Sequence, residues 1–315
     1  MLASFNIAFN AVMPFLVYLF IGWFIIRAGL ADRAFMTKLN QVVFRVLFPF
    51  MMFNNVYSAK PEDMPSLTLV LIGVVGLLAL IGLLLLIVPR IVKENPRRGV
   101  IIQAIFRSNF IIYGMSLTTS VFGAENTAVV GMMVLIMISL FNISAVVVLQ
   151  LFNREGGSIR PGRLLLQLAK NPLLQGCVAG LLFYLLRLRL PVFLASPVSA
   201  LAGAATPLAM ITLGAALRFD EMRRNSRVIA AVLSVRLLLL PLAMLFLAWL
   251  LGLRGVELFL VLMIFGTPIA TSSYPMAQNM GGDGQLAGQL LFVSTLASLG
   301  TIFLFIFSLS RLGLI

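Results

Sequence analysis

Ten apolar stretches, each close to the length that crosses a lipid bilayer, leave this chain little choice but a bundle of membrane helices. They cover about residues 5–26, 39–57, 67–88, 100–121, 127–151, 173–186, 195–217, 228–251, 256–276 and 286–309. A span needs roughly 20 apolar residues, and in lipid every backbone N–H and C=O must find a partner within protein, which favours helices. The sixth stretch is short and is read as reaching back toward Lys170. Composition agrees, with 61% hydrophobic residues, 10% charged and a mean hydropathy of +1.08, far from a soluble domain. No large soluble domain fits between the stretches. The first stretch lacks a basic leader and outruns a signal peptide's apolar core, so it is read as a retained span. The single cysteine, Cys177, sits in an apolar segment and is read as packing.

The formal charge of +13 points to the membrane rather than to nucleic acid because of where it sits. With ten spans the loops alternate sides. Those joining spans 1–2, 3–4, 5–6 and 7–8 carry fifteen Lys or Arg, and the other side carries five: Lys60, Arg187, Arg189, Arg254 and Arg311. By the positive-inside rule the rich side is cytoplasmic, which puts both termini outside the cytoplasm and the protein in the cytoplasmic (inner) membrane. The basic loops are topogenic charge beside anionic lipid.

The chain also reads as a duplication. Pro14 and Pro49 return as Pro172 and Pro207 at an offset of 158 residues. Phe106, Gly123 and Ser139-Leu140 return as Phe265, Gly282 and Ser298-Leu299 at an offset of 159. Residues 1–152 form one five-span repeat, 153–170 a short cytoplasmic linker, and 171–315 the second repeat. An odd number of spans per repeat inverts the second half, which places Glu125 outside and its near-counterpart Asp283 inside.

Two spans are interrupted near their middles, the fourth by Arg107-Ser108-Asn109 and the ninth by Gly266-Thr267-Pro268. A break at membrane depth must be buried in protein or line a watery cavity, and paired breaks in two halves point to a secondary transporter's substrate site. Thr suits an N-cap and Pro the first helical position, so a half-helix is expected to open at Thr267-Pro268 and to carry Ser272. Ser108 or Asn109 is expected to cap another opening at Phe110. The two N-termini would converge near the membrane centre, each with free N–H groups and partial positive charge suited to an anion.

Charge inside the spans agrees, because away from the span ends the only formally charged residues are Arg45, Arg107 and Arg236. Arg45 and Arg236 lie about six to eight residues from their cytoplasmic ends, roughly 9–12 Å, and are read as snorkelling or packing between helices. Arg107 adjoins a break and is read as part of the anion site, the alternative being a contact to carbonyls freed by the break. A guanidinium holds a carboxylate by two parallel hydrogen bonds, so an organic acid fits better than a cation or a sugar. Asp and Glu fall only in loops or at span ends, as Glu257 does in the ninth, and the chain has no His, so carboxylate or imidazole proton relays are missing. Backbone carbonyls and hydroxyls remain to hold Na⁺. Uniport or exchange of an anion follows. Asn142, Ser139, Ser298 and Asn54 are secondary candidates, and Gly73, Gly76 and Gly82 are read as sites of close helix approach.

These motifs together resemble a known family. Phe106-Arg107-Ser108-Asn109 through Gly114, Asn171-Pro172-Leu173, Ala205-Thr206-Pro207-Leu208-Ala209 with Leu213-Gly214-Ala215, and Ser294-Thr295-Leu296 with Ser298 look like the auxin efflux carrier family, in its bacterial form. The resemblance implies an all-α polytopic fold of ten helices in two inverted five-helix repeats. Spans 1, 2, 6 and 7 would form a scaffold that dimerises, and spans 3–5 and 8–10 a transport domain moving as an elevator, with the broken helices 4 and 9 crossing at the substrate. Plant members carry a proline in the span 4 crossover and a long central loop. Here Arg107-Ser108-Asn109 has no proline and the loop shrinks to residues 153–170, which shifts the expected cargo from indole acetate to acids such as malonate or malate. No cofactor or metal is expected, and with neither an HExxH motif nor an in-span aspartate pair, no enzyme. A Na⁺-coupled organic-anion symporter, a channel and a non-transporting sensor are the alternatives, separable by Na⁺ dependence and counterflow.

Overall fold

The computed structural model describes residues 2–58, 65–123, 127–153, 166 and 169–315. Lys60, Glu125, Arg154, Arg160, Arg163 and most of the 153–170 linker lie outside the described residues. Among those described the chain is all helical, with one isolated β-bridge. In order the helices are α1 (Leu2–Arg27), α2 (Arg33–Val42), α3 (Phe48–Tyr57), α4 (Leu67–Ile91), α5 (Asn95–Phe106), α6 (Phe110–Phe122) and α7 (Thr127–Phe152). Then come α8 (Pro172–Leu185), α9 (Val192–Ala216), α10 (Phe219–Arg224), α11 (Ser226–Ser234), α12 (Leu240–Leu250), α13 (Gly255–Gly266), α14 (Ser273–Asn279) and α15 (Gly284–Arg311).

Among the described residues five helical rods are long and apolar enough to cross a membrane: α4, α7, α9, the continuous Ser226–Leu250 rod, and α15. Shorter apolar helices include Met13–Arg27 within α1, α8 and α13. Helix starts follow local chemistry. The side chains of Asp32, Ser66, Asn171 and Asp283 accept from backbone N–H groups in the first turns of α2, α4, α8 and α15.

Two rods carry a π-helical turn, Val43–Leu47 between α2 and α3 and Val235–Leu239 between α11 and α12. Each ends two residues before a proline, Pro49 or Pro241. Proline has no N–H to donate and its ring collides with the carbonyl four residues back, and a widened turn absorbs that mismatch without ending the helix.

Close backbone packing ties α1 to α9 and α3 to α8. A Cβ at Gly22 would overlap the Ile211 carbonyl and one at Gly214 the Leu19 carbonyl. Gly176 and Gly180 meet the carbonyls of Pro49 and Phe53 in the same way. Only glycine permits this approach. The expectation for α4 is corrected: Gly73 and Gly76 meet methionine side chains of α7 and α12, and Gly82 has no neighbour within 4 Å. With α4 this apolar on every side, its glycines give no clue to which face meets another backbone.

Candidate functional site

The first break is three residues long, because α5 ends at Phe106 and α6 begins at Phe110. Asn109 occupies the N-cap position as expected, but its side chain makes no capping bond. The second break is longer. Thr267 does not open a half-helix; it terminates α13, and α14 starts only at Ser273 with Ser272 in the N-cap position. The residue before a proline is pushed out of the α region, and Thr267 is extended at ψ 158°. Pro268 therefore stops one helix instead of starting the next. The Thr267 hydroxyl turns back to donate to the Met263 carbonyl at 2.9 Å.

The intervening residues are occupied by pairing with the other break. Ser108 and Ile269 form an antiparallel bridge. The Asn109 N–H donates to the Pro268 carbonyl at 2.8 Å and the Ala270 N–H to the Arg107 carbonyl at 3.3 Å. Two interrupted helices thus satisfy each other's backbone where lipid would not. Ser294 of α15 supports this crossing, its Oγ accepting from the Ile269 N–H at 3.3 Å and donating to the Leu291 carbonyl at 2.9 Å.

Three arginines of similar depth meet three different fates. Arg45 is exposed. Arg107 is buried, with Nη2 donating to Asn142 Oδ1 and Nη1 to the Met276 sulfur. Arg236 is fully buried, which excludes snorkelling. Its Nη1 donates to the Ile105 carbonyl at 3.1 Å and its Nη2 to the Thr267 carbonyl at 2.7 Å. The contact to freed carbonyls weighed for Arg107 belongs to Arg236. Among the described residues neither buried arginine pairs with a carboxylate.

A cavity of about 300 Å³ opens at the crossing. Arg107, Ser108, Asn109, Phe110 and Ile111 form one wall, with Ala270, Thr271 and Ser272 beside them. From α7 come Ile138, Phe141 and Asn142; α3 adds Met51, Met52, Asn54 and Asn55, and α9 adds Ser199, Gly203 and Thr206. Of the candidates read from sequence, the cavity collects Arg107, Ser108, Asn109, Ser272, Asn142 and Asn54. Gly266, Thr267 and Pro268 do not line it: Pro268 accepts across the crossing, Thr267 ends α13, and Gly266, the last residue of α13, packs near Leu262 and Pro241. Ser139 and Ser298 stay off it, their hydroxyls donating to Leu135 and Thr295 carbonyls of their own helices.

Sequence reasoning missed Thr271, Ser199 and Gly203 as wall residues. Thr271 was signalled by the polar run after Pro268. Thr206 was quoted only as part of a motif, and its place before Pro207 was the available signal. Ser199 had none, being one small residue among many on α9. Since α14 has only 7 residues, the partial positive charge facing the cavity comes mainly from the first turn of α6, where Phe110 and Ile111 line it.

The chain matches the family described as membrane transport protein over residues 7–306. It is also similar to an uncharacterized transporter from Methanothermobacter thermautotrophicus, with 26% identity over 300 residues covering 92% of this chain and 94% of that protein.

Proposed function

Because this chain belongs to the membrane transport protein family, the auxin efflux carriers whose motifs it carries, we propose that it is a secondary carrier for a small organic acid, a mono- or dicarboxylate such as malonate or malate. The observation that carries this reading is Arg107, a buried guanidinium at the wall of the cavity with no carboxylate partner among the described residues. Its known partners are one amide oxygen and a thioether sulfur, and sulfur is a weak acceptor. A cargo carboxylate takes the remaining donors and completes the site. The α6 N-terminus adds favourable potential, and Ser108, Asn109, Thr271 and Ser272 offer polar contacts.

The cavity lies between helices α3 and α9 on one side and the crossing on the other. In the proposed elevator cycle, spans 1, 2, 6 and 7 form a dimeric scaffold, and the crossing moves past it with the cargo. The ten spans form two inverted repeats with both termini outside the cytoplasm. The test is a thermal-shift screen of purified protein against mono- and dicarboxylates, repeated with Arg107→Ala. One acid is expected to stabilise the wild type and to lose its effect in the variant; stabilisation that survives unchanged would refute the role of Arg107. Counterflow, acceleration of labelled uptake by unlabelled acid inside, separates a carrier from a channel.

A further inference from the structure

We propose that Arg236 is a built-in counter-cation: it occupies the carbonyl site between the two broken helices where a coupling cation would otherwise bind, so the carrier needs no Na⁺ or other coupling ion. This deepens the carrier reading and rests on it. In carriers built on broken helices, unwound backbone carbonyls and half-helix C-terminal ends coordinate the coupling cation. Here Ile105 lies in the last turn of α5 and Thr267 at the C-cap of α13. Both oxygens belong to the negative ends of half-helices, and both accept from one guanidinium.

The surroundings fit a fixed charge better than an exchangeable one. Arg236 and Thr267 are fully buried and Ile105 nearly so, and the arginine is anchored in the π turn of the Ser226–Leu250 rod. Among the described residues no carboxylate neutralises it, so its compensation comes from the two helix ends. Guanidinium stays protonated and is weakly hydrated, which suits a dry site that no ion enters or leaves. The Asn109 N–H already pairs across to Pro268, which leaves the Ile105 carbonyl without the N–H donor it would have in a continuous helix. Arg236 therefore does for the framework what Arg107 does for the cargo, and no exchangeable cation crosses with the anion.

The test uses thermal unfolding of the purified protein with no organic acid present, in sodium, potassium or choline chloride at equal ionic strength. Wild type is expected to unfold at the same temperature in all three. Arg236→Ala is expected to unfold lower by roughly 5 °C or more, and millimolar guanidinium or sodium, but not choline, is expected to recover part of the loss. Selective stabilisation of wild type by sodium overturns the proposal. So does an Arg236→Ala protein that unfolds like wild type, or one whose loss no small cation recovers, which would make Arg236 a strut alone. Should Arg236→Ala not accumulate, Arg236→Lys serves, expected to fall between the two and to ignore added cations; rescue of this variant by sodium overturns the proposal. Failure of the cargo reading shows separately, as no response to any acid in the Arg107 screen.

Discussion

Replacing Arg107 with methionine is expected to stabilise the empty protein while removing its response to carboxylates. A buried guanidinium carries a desolvation penalty of several kcal/mol. Against it Arg107 has one charge-assisted bond to Asn142, worth about 1.5–3 kcal/mol, and a weak one to the Met276 sulfur. Methionine keeps much of the unbranched stem, and the cavity beside Asn142 admits water to its freed oxygen. The balance is a gain of about 1–2 kcal/mol, a rise of roughly 2–6 °C in Tm. Loss of a bidentate carboxylate contact of about 3 kcal/mol weakens acid binding about 100-fold. Arg236→Met runs the other way, since two buried carbonyls lose their donor at about 1–3 kcal/mol each. Thermal unfolding of both variants, with and without each acid, reads both effects. An Arg107→Met protein that unfolds below wild type yet keeps the full acid shift refutes the reasoning, as do two variants that shift in the same direction.

Other sites give contrasting outcomes in the same assay. Gly214→Val drives a Cβ into the Leu19 carbonyl and should cost about 3 kcal/mol or more, or prevent accumulation of folded protein. Gly82→Ala meets open space and should be neutral or stabilising by about 0.5–1 kcal/mol; a large loss there would show a packed face on α4. Gln278→Leu removes the partner of Asn40, whose Nδ2 donates to Gln278 Oε1 at 2.8 Å while its Oδ1 accepts from Thr212, and should lower stability by about 1–2 kcal/mol. Ser294→Ala strips the Ile269 N–H of its acceptor; a loss of about 1–2 kcal/mol should come with a smaller acid shift, and an unchanged shift would separate Ser294 from the site.

Helix positions were largely legible in the sequence because they depend on local and solvent-imposed rules: apolar length, caps such as Asn171-Pro172, and backbone pairing in lipid. The positions of both breaks were legible for the same reason. The restart of the second helix was not. Its placement at Ser273 instead of Thr267 follows from backbone bonds between Asn109 and Pro268 and between Ala270 and Arg107, partners more than 150 residues apart. The glycine contacts show the same division: span 3 looked like the glycine-lined helix, yet the close approaches are at Gly22, Gly176, Gly180 and Gly214.

By itself the sequence determined a helical membrane protein with two breaks and three cations inside its spans, since hydropathy, proline chemistry and charge are properties of residues in order. Only the tertiary structure decided that Arg45 is exposed, Arg107 faces a cavity and Arg236 joins two helix ends. The physical reason is that a guanidinium's role is set by which acceptors surround it, and those acceptors come from helices distant in the chain.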